Sequence, residues 1–484
     1  MPEISQGNAL HRKLNARILS MITLGGSIGT GIFLASGNAL SLAGPGGTLL
    51  AYLIMGCVVY YLMTSLGEMA AFMPTTGSFC AYAAEFVDPS LGYALGWNYW
   101  YSWAVTIASE ISASSLVMHF WFPESSPLLW CTVFLMLTVG FNAISTRAFG
   151  EAEYWFSFLK VAVIILFIVS GFAMILGITS FEPVGFKYWT IGDAPFHGGW
   201  AGVVSAFMVA GFSFQGTELL GIAAGESHNP AENVTKAVKL VFWRIVLFFL
   251  LSLLVISLLI PYTSEQLTNA NIAMSPFTLV FAQYDKALAA MLMNGVVLLA
   301  ILSTANSGLY VASRLFWHMA KEGHAPRVFA KVNKRGVPIY ALLVTSCVAL
   351  LSFLSSLFGN GLVYFWLLNA GSLAGLIAWM GIAISHYRFR KAYLIQGKDP
   401  GKLPYRAKGY PYGPLFAFAL CFIIISGQNY AAFMSHHIDW YGLLISYIGL
   451  PMFLLVWFGN KWLKKTKIVK LHDCKFDFES RSNY

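Results

Sequence analysis

The sequence predicts an all-α integral membrane protein with twelve transmembrane helices, and three observations carry that expectation. Only 11% of its 484 residues are charged and 57% are hydrophobic, whereas a water-soluble domain carries about 25% charged residues. The apolar residues come in long runs rather than at helical or strand period. A spanning helix needs about 20 of them, and runs of that order lie at 17–41, 48–73, 92–121, 127–145, 154–178, 199–225, 239–261, 288–318, 338–358, 362–386, 412–433 and 439–460. The alternating segments of about ten residues that mark a membrane barrel are absent. Soluble enzyme, disulfide scaffold and disordered tail are excluded on these grounds.

The basic residues orient the spans. With the N-terminus inside, 26 of the 30 Lys and Arg fall in or beside internal segments, Lys187 and Lys286 fall outside, and Lys160 and Arg314 lie within the membrane. The positive-inside rule then puts both termini in the cytoplasm. The net charge of +9 is therefore a topology signal, concentrated in stretches such as 386–408 and 461–481. Those stretches flank helices and form no separate domain, so no nucleic-acid partner is expected. His11, Arg12, Lys13 and Arg17 precede the first span, yet no small-residue cleavage site follows, and the span reads as retained. The six cysteines show no metal or redox spacing. Neither a metal, a cofactor nor an enzymatic centre is expected.

Two glycine-rich stretches interrupt apolar spans: Gly25 to Gly31 in the first and Gly211 to Glu218 in the sixth. Glycine costs about 1 kcal/mol in a helix interior relative to alanine. Unwound backbone at membrane depth is tolerated only where it lines a cavity or is buried in protein. Close helix packing is the competing explanation, since small residues also let helices approach. The breaks open the first and sixth spans, at corresponding places in two five-helix halves. An odd number of helices per half makes the second half inverted. Broken helices at matching positions of inverted repeats point to a transporter's binding site. The chain then divides into a cytoplasmic segment (1–16), two repeats (17–178 and 199–386), two extra helices (412–460) and a cytoplasmic tail (461–484).

Chemistry assigns groups to such a site. The N–H groups near Thr30 and Gly31, at the start of a half-helix, suit a carboxylate. The carbonyls of Ser27 and of Phe212, Ser213 and Phe214 suit an ammonium. Together they fit an α-amino acid. Ionisable residues within spans are functional candidates, here Glu68, Glu110, Lys160, Glu218 and Arg314. Glu68 and Arg314 sit near cytoplasmic ends and read as anchors. Glu218 reads equally as compensation for a helix N-terminus and as a proton or cation site. Tyr99, Trp103, Thr106 and Glu110 fall within about 60° of one helix face, which makes a cavity wall with aromatic rings suited to an ammonium. Lys160 lies about two turns into the fifth span, where it either snorkels to the interface or serves coupling as an exchangeable proton carrier.

The chain resembles amino-acid permeases of the amino acid–polyamine–organocation superfamily, and among them the bacterial lysine-specific ones. The resemblance runs through GGSIGTGIF (25–33), AGPGG (43–47), YYLMTSLGEM (60–69), GWNYWYSWAVTIA (96–108), FGEAEYWFS (149–157), GFSFQGTELLGIAAGES (211–227), SPFTLVF (275–281) and AISHYRFR (383–390). It departs mainly in the N-terminal segment, the 262–288 loop and the tail. The resemblance implies a five-plus-five inverted repeat with two added helices, and L-lysine import across the bacterial inner membrane, driven by protons. It implies substrate contacts at Ser27, Thr30, Gly31, Tyr99, Trp103, Phe212 and Glu218. Lys160 matches the lysine that replaces a sodium ion in sodium-independent relatives. Glu110 stands where an acidic residue is expected. Other cargoes (arginine, ornithine, a neutral amino acid) and an amino-acid-sensing receptor are the alternatives.

Overall fold

The structure is a computed structural model, and it describes residues 28–75, 77–144, 146–178, 183–224, 229–267, 275–283, 287–429 and 440–476. Among them helices are the only regular elements: α1 (Gly31–Phe72), α2 (Ser78–Phe86), α3 (Pro89–Met118), α4 (Pro127–Ile144), α5 (Thr146–Ile175), α6 (Gly199–Phe214), α7 (Leu219–Ala224), α8 (Pro230–Leu259), α9 (Pro276–Gln283), α10 (Ala287–Lys321), α11 (Ile339–Phe358), α12 (Asn360–Ile395), α13 (Tyr412–Gly427), α14 (Trp440–Tyr447) and α15 (Gly449–Lys464). Short 3₁₀ turns fill several connections.

Eight helices among the described residues are long and apolar enough to cross a membrane, against twelve spans expected from sequence. The shortfall has physical reasons. The latter half of the first expected span and the whole of the second run on as α1, bent where Gly44 takes φ 70°. A side chain there would also meet the His197 backbone nitrogen at 2.9 Å. The α3 helix is rich in Ser, Thr, Trp and Tyr, and it can be because it does not face lipid: every residue from Ser102 to Met118 is buried. It packs against α10 and α12, while α1 runs along α6. By contrast α13 is a short apolar helix, and residues 430–439, ahead of α14, lie outside the described ones.

Helix ends move where polar partners permit. Asp88 caps α3, accepting from Ser90 N at 3.0 Å, so the helix starts three residues ahead of the apolar run. The α12 helix continues to Ile395 through residues expected to form a cytoplasmic loop. Its Arg390 and His386 are buried against Glu68 of α1, which accepts from Arg390 Nε at 2.6 Å, from Arg390 Nη2 and from the Ala407 amide at 2.7 Å. A forked Arg–carboxylate pair of this kind satisfies charge and geometry together. Glu68 is thus an anchor between α1, α12 and the following loop. Arg314 lies against the Tyr310 ring and donates to the Tyr310 carbonyl at 3.2 Å. Part of the tail is docked: Val469 N donates to Val87 O at 2.9 Å, and the Phe476 ring packs on Phe86 and Phe389.

Candidate functional site

Both sequence breaks bear on one place. Ile28 and Gly29 are non-helical, Thr30 is the N-cap, and α1 opens with a π-helical turn over Gly31–Ala35; such turns recur at functional sites. Gly25, Gly26 and Ser27 lie outside the described residues. The sixth-span break is shorter than the glycine pattern suggested. Gly211, Phe212 and Ser213 are helical, and α6 ends at Phe214. Gln215 is extended and Gly216 has φ 92° before α7 begins. The Phe212 carbonyl accepts from the Gln215 amide at 3.1 Å, so the last turn of α6 is closed rather than unwound. The two breaks touch: a Cβ on Gly31 would sit 2.4 Å from Ser213 Cα, so only glycine fits.

Between them lies a narrow cavity lined by Gly29, Gly31, Trp103, Thr106, Glu110, Phe212, Ser213, Gln215 and Thr304. Five of the residues proposed from sequence therefore share one chamber: Gly31, Trp103, Glu110, Phe212 and Ser213. Thr30 turns its groups to the Glu110 carboxylate, its hydroxyl donating at 2.9 Å and its amide at 3.3 Å. In this conformation the amide expected to meet a substrate carboxylate already holds a carboxylate of the protein. Ser213 Oγ hydrogen-bonds Tyr52 at 2.7 Å.

Tyr99 and Glu218 are placed elsewhere. They pair with each other outside the cavity lining, the Tyr99 hydroxyl donating to Glu218 Oε1 at 2.9 Å. Glu218 also accepts from the Gly216 amide at 3.2 Å and from Trp379 Nε1 at 3.2 Å. A buried carboxylate is costly unless its oxygens are hydrogen-bonded, and here both are. Glu218 thus closes the break ahead of α7 and ties it to α3 and α12. Burial of the Tyr99–Trp103–Thr106–Glu110 face is complete, with Tyr99 turned to Glu218 and the other three to the cavity.

Lys160 does not snorkel. It is buried, and its Nζ donates to Thr304 Oγ1 at 3.3 Å. The Thr304 hydroxyl lies 3.1 Å from the Ile28 carbonyl at the first break. One hydroxyl thus links α5 and α10 to the unwound start of α1. Sequence reasoning passed over three contributors. Gln215 lines the cavity with its amide donating to the Gly371 and Ser372 carbonyls, both at 3.2 Å. Trp379 seals Glu218. Glu153, buried, accepts from Ser303 Oγ at 2.5 Å. Only Glu153 carried a signal, its seven-residue spacing from Lys160.

A chamber between two interrupted helices, inside a bundle of apolar helices, is the build of a membrane carrier. The chain belongs to the amino acid permease family, whose sequence model matches residues 19–473. It is 53% identical to the lysine-specific permease LysP of Escherichia coli (strain K12) over 98% of this chain and 97% of that one. It is 45% identical to the lysine-specific permease LysP of Lactococcus lactis subsp. cremoris (strain MG1363), covering 96% and 92% of the two chains. The histidine permease HisP of the same strain is 43% identical, covering 96% and 98%.

Proposed function

We propose that the protein imports L-lysine together with protons across a bacterial inner membrane by alternating access. In this reading it spans the bilayer twelve times, as two inverted five-helix repeats plus two helices, with both termini cytoplasmic. The chamber beside the two breaks takes the substrate. Trp103 and Phe212 flank its apolar stem, and the N–H groups at Thr30 and Gly31 receive its carboxylate. Glu110 supplies the negative charge, being the one acidic residue among those lining the cavity. Lys160 serves coupling rather than binding. The observation that carries the reading is the Lys160–Thr304–Ile28 chain, which puts a cation where it holds the first break without touching the cavity. The names of the LysP relatives support lysine as cargo.

Uptake of labelled lysine into proteoliposomes tests the reading, with arginine, ornithine, histidine and norleucine as competitors. Accumulation driven by an inward proton gradient and competed best by lysine is the expected result. Binding without accumulation would instead identify a sensor. Stronger competition by another amino acid would change the cargo and leave the carrier.

A further inference from the structure

Two more buried polar residues follow Lys160 down the inner face of α5. Glu153, Ser157 and Lys160 are buried, while Glu151, Trp155, Phe158 and Leu159 are exposed. Offsets of four and seven residues keep the three buried ones on one helix face. Beyond Lys160 the same face continues as Ile164, Phe167 and Ile168, buried and apolar. The polar half of the face therefore runs one way only, from Lys160 toward the N-terminal end of α5.

The facing helix matches it. Ser303 and Thr304 are consecutive on α10. The first donates to Glu153 Oε1 and the second accepts from Lys160 Nζ, so the carboxylate and the ammonium hang on adjacent rungs. Long helical side chains lean toward the helix N-terminus, which carries the lysine stem toward Ser157 and Glu153. Lys160 interacts electrostatically with both Glu153 and Glu110. Glu153 Oε2, Ser157 Oγ, Ser307 Oγ and Asn142 Oδ1 are all buried with no hydrogen-bond partner among the described residues. They belong to α4, α5 and α10, three helices that pack together. Buried polar atoms are ordinarily paired; this set is free to take up new partners.

We propose that Glu153 is the proton acceptor for Lys160, and that the Glu153–Ser157 face is the exit route of the coupled proton. The inference rests on the coupling role of Lys160. The ammonium gives one proton to the Ser157 oxygen as that hydroxyl passes its own proton to the Glu153 carboxylate. The products are a neutral amine and a carboxylic acid, and net charge is conserved. The acid then releases the proton to water at the N-terminal end of α5, which the charge distribution puts on the cytoplasmic side. Glu110 is the rival acceptor, but it faces the substrate cavity and is held by Thr30.

The test compares two modes of transport in proteoliposomes. Gradient-driven accumulation of lysine requires proton release, whereas exchange against lysine inside the vesicle requires none. Glu153→Gln is expected to lower accumulation about ten-fold or more while exchange stays within about two-fold of the parent. Ser157→Ala should shift the two in the same direction, and Glu153→Asp, which keeps a carboxylate, should restore much of the accumulation. If accumulation in Glu153→Gln equals the parent's, or falls only in step with exchange, the relay is wrong and Glu153 is a structural partner of Ser303. A parent indifferent to the proton gradient, or Lys160→Ala with its gradient response intact, overturns the coupling role and the relay together. Failure confined to Glu153 leaves the coupling role standing.

Discussion

The carboxylate of Glu110 accepts from both the hydroxyl and the amide of Thr30, at 2.9 and 3.3 Å. An acidic side chain from α3 thus sits on the N-terminal end of α1, where free N–H groups and the helix dipole favour negative charge. A substrate carboxylate drawn to the same end meets a group already there. In the binding mode we propose, binding is an exchange of partners: the incoming carboxylate would take the α1 end, and Glu110 would turn to the substrate's positive charge.

That exchange separates Glu110 from Glu218 by experiment. Glu110→Gln should weaken lysine binding at least about ten-fold, since an ammonium without a counter-charge in a low-dielectric cavity is costly, and should leave norleucine binding nearly unchanged. Glu218→Gln should act on stability instead, by about 1–3 kcal/mol, because it disturbs a satisfied buried network. Equilibrium binding and thermal melting of the purified variants measure both. Equal lysine affinity in the parent and in both variants would falsify the electrostatic account of selectivity.

Gly29 is a steric test of the first break. A Cβ there would lie 2.8 Å from Thr304 Oγ1 and 2.9 Å from Glu110 Oε1, so any side chain pushes apart the groups that join α1, α3 and α10. Gly29→Val should abolish lysine binding in protein that still inserts and purifies, and Gly29→Ala should weaken it. Unchanged affinity in Gly29→Val would mean that the break serves packing alone.

Much of this architecture is legible in the sequence because hydropathy and glycine placement act locally. The bend at Gly44 falls in the gap left between the first two apolar runs, and the break after Phe214 lies inside the predicted stretch. What was not legible depends on partners distant in the chain. The burial of α3 follows from α10 and α12, and the extension of α12 follows from Glu68, 322 residues from Arg390. Glu218 stayed open between a helix-terminus partner and a proton or cation site because neither the Tyr99 hydroxyl nor the Trp379 indole can be placed against it by spacing. Glu153 was missed because it precedes the apolar run it belongs to.

The loop before α6 offers a pH test outside the spans. Asp193 accepts from the Tyr262 hydroxyl and from His197 Nδ1, both at 2.7 Å. These two partners, the tyrosine foremost, hold its carboxyl down to about 2. The same loop grips the α1 bend, with Pro195 O accepting from the Gly46 and Gly47 amides at 2.8 and 3.2 Å. A lowered folded-state value gives stability that is present above the unfolded value of about 3.9 and is lost as pH falls through the folded one. Asp193→Asn should therefore melt below the parent by a margin that is constant from about pH 8 to about pH 5 and closes between about pH 4 and pH 2. A margin that stays open down to pH 2 would show that the charge of the Asp193 carboxylate plays no part in holding the loop.

Coupling puts the Lys160 assignment itself at risk. The ammonium donates to Thr304, and the Thr304 hydroxyl reaches the Ile28 carbonyl. A cation at this point holds α5, α10 and the start of α1 in one arrangement. In this arrangement the positive charge beside the first break is the protein's own ammonium. On the coupling role we propose, loss of the lysine proton would remove the charge that strengthens this chain and free the break to rearrange. Uptake should accordingly need no sodium and should rise with an inward proton gradient. Lys160→Ala should lose the gradient response. Equilibrium binding of lysine should survive better than uptake, because Lys160 does not line the cavity. Flux measured in proteoliposomes with sodium and proton gradients imposed separately decides the matter. Strict sodium dependence, or a proton response that persists in Lys160→Ala, would remove the lysine from coupling and make Glu218 the better proton site.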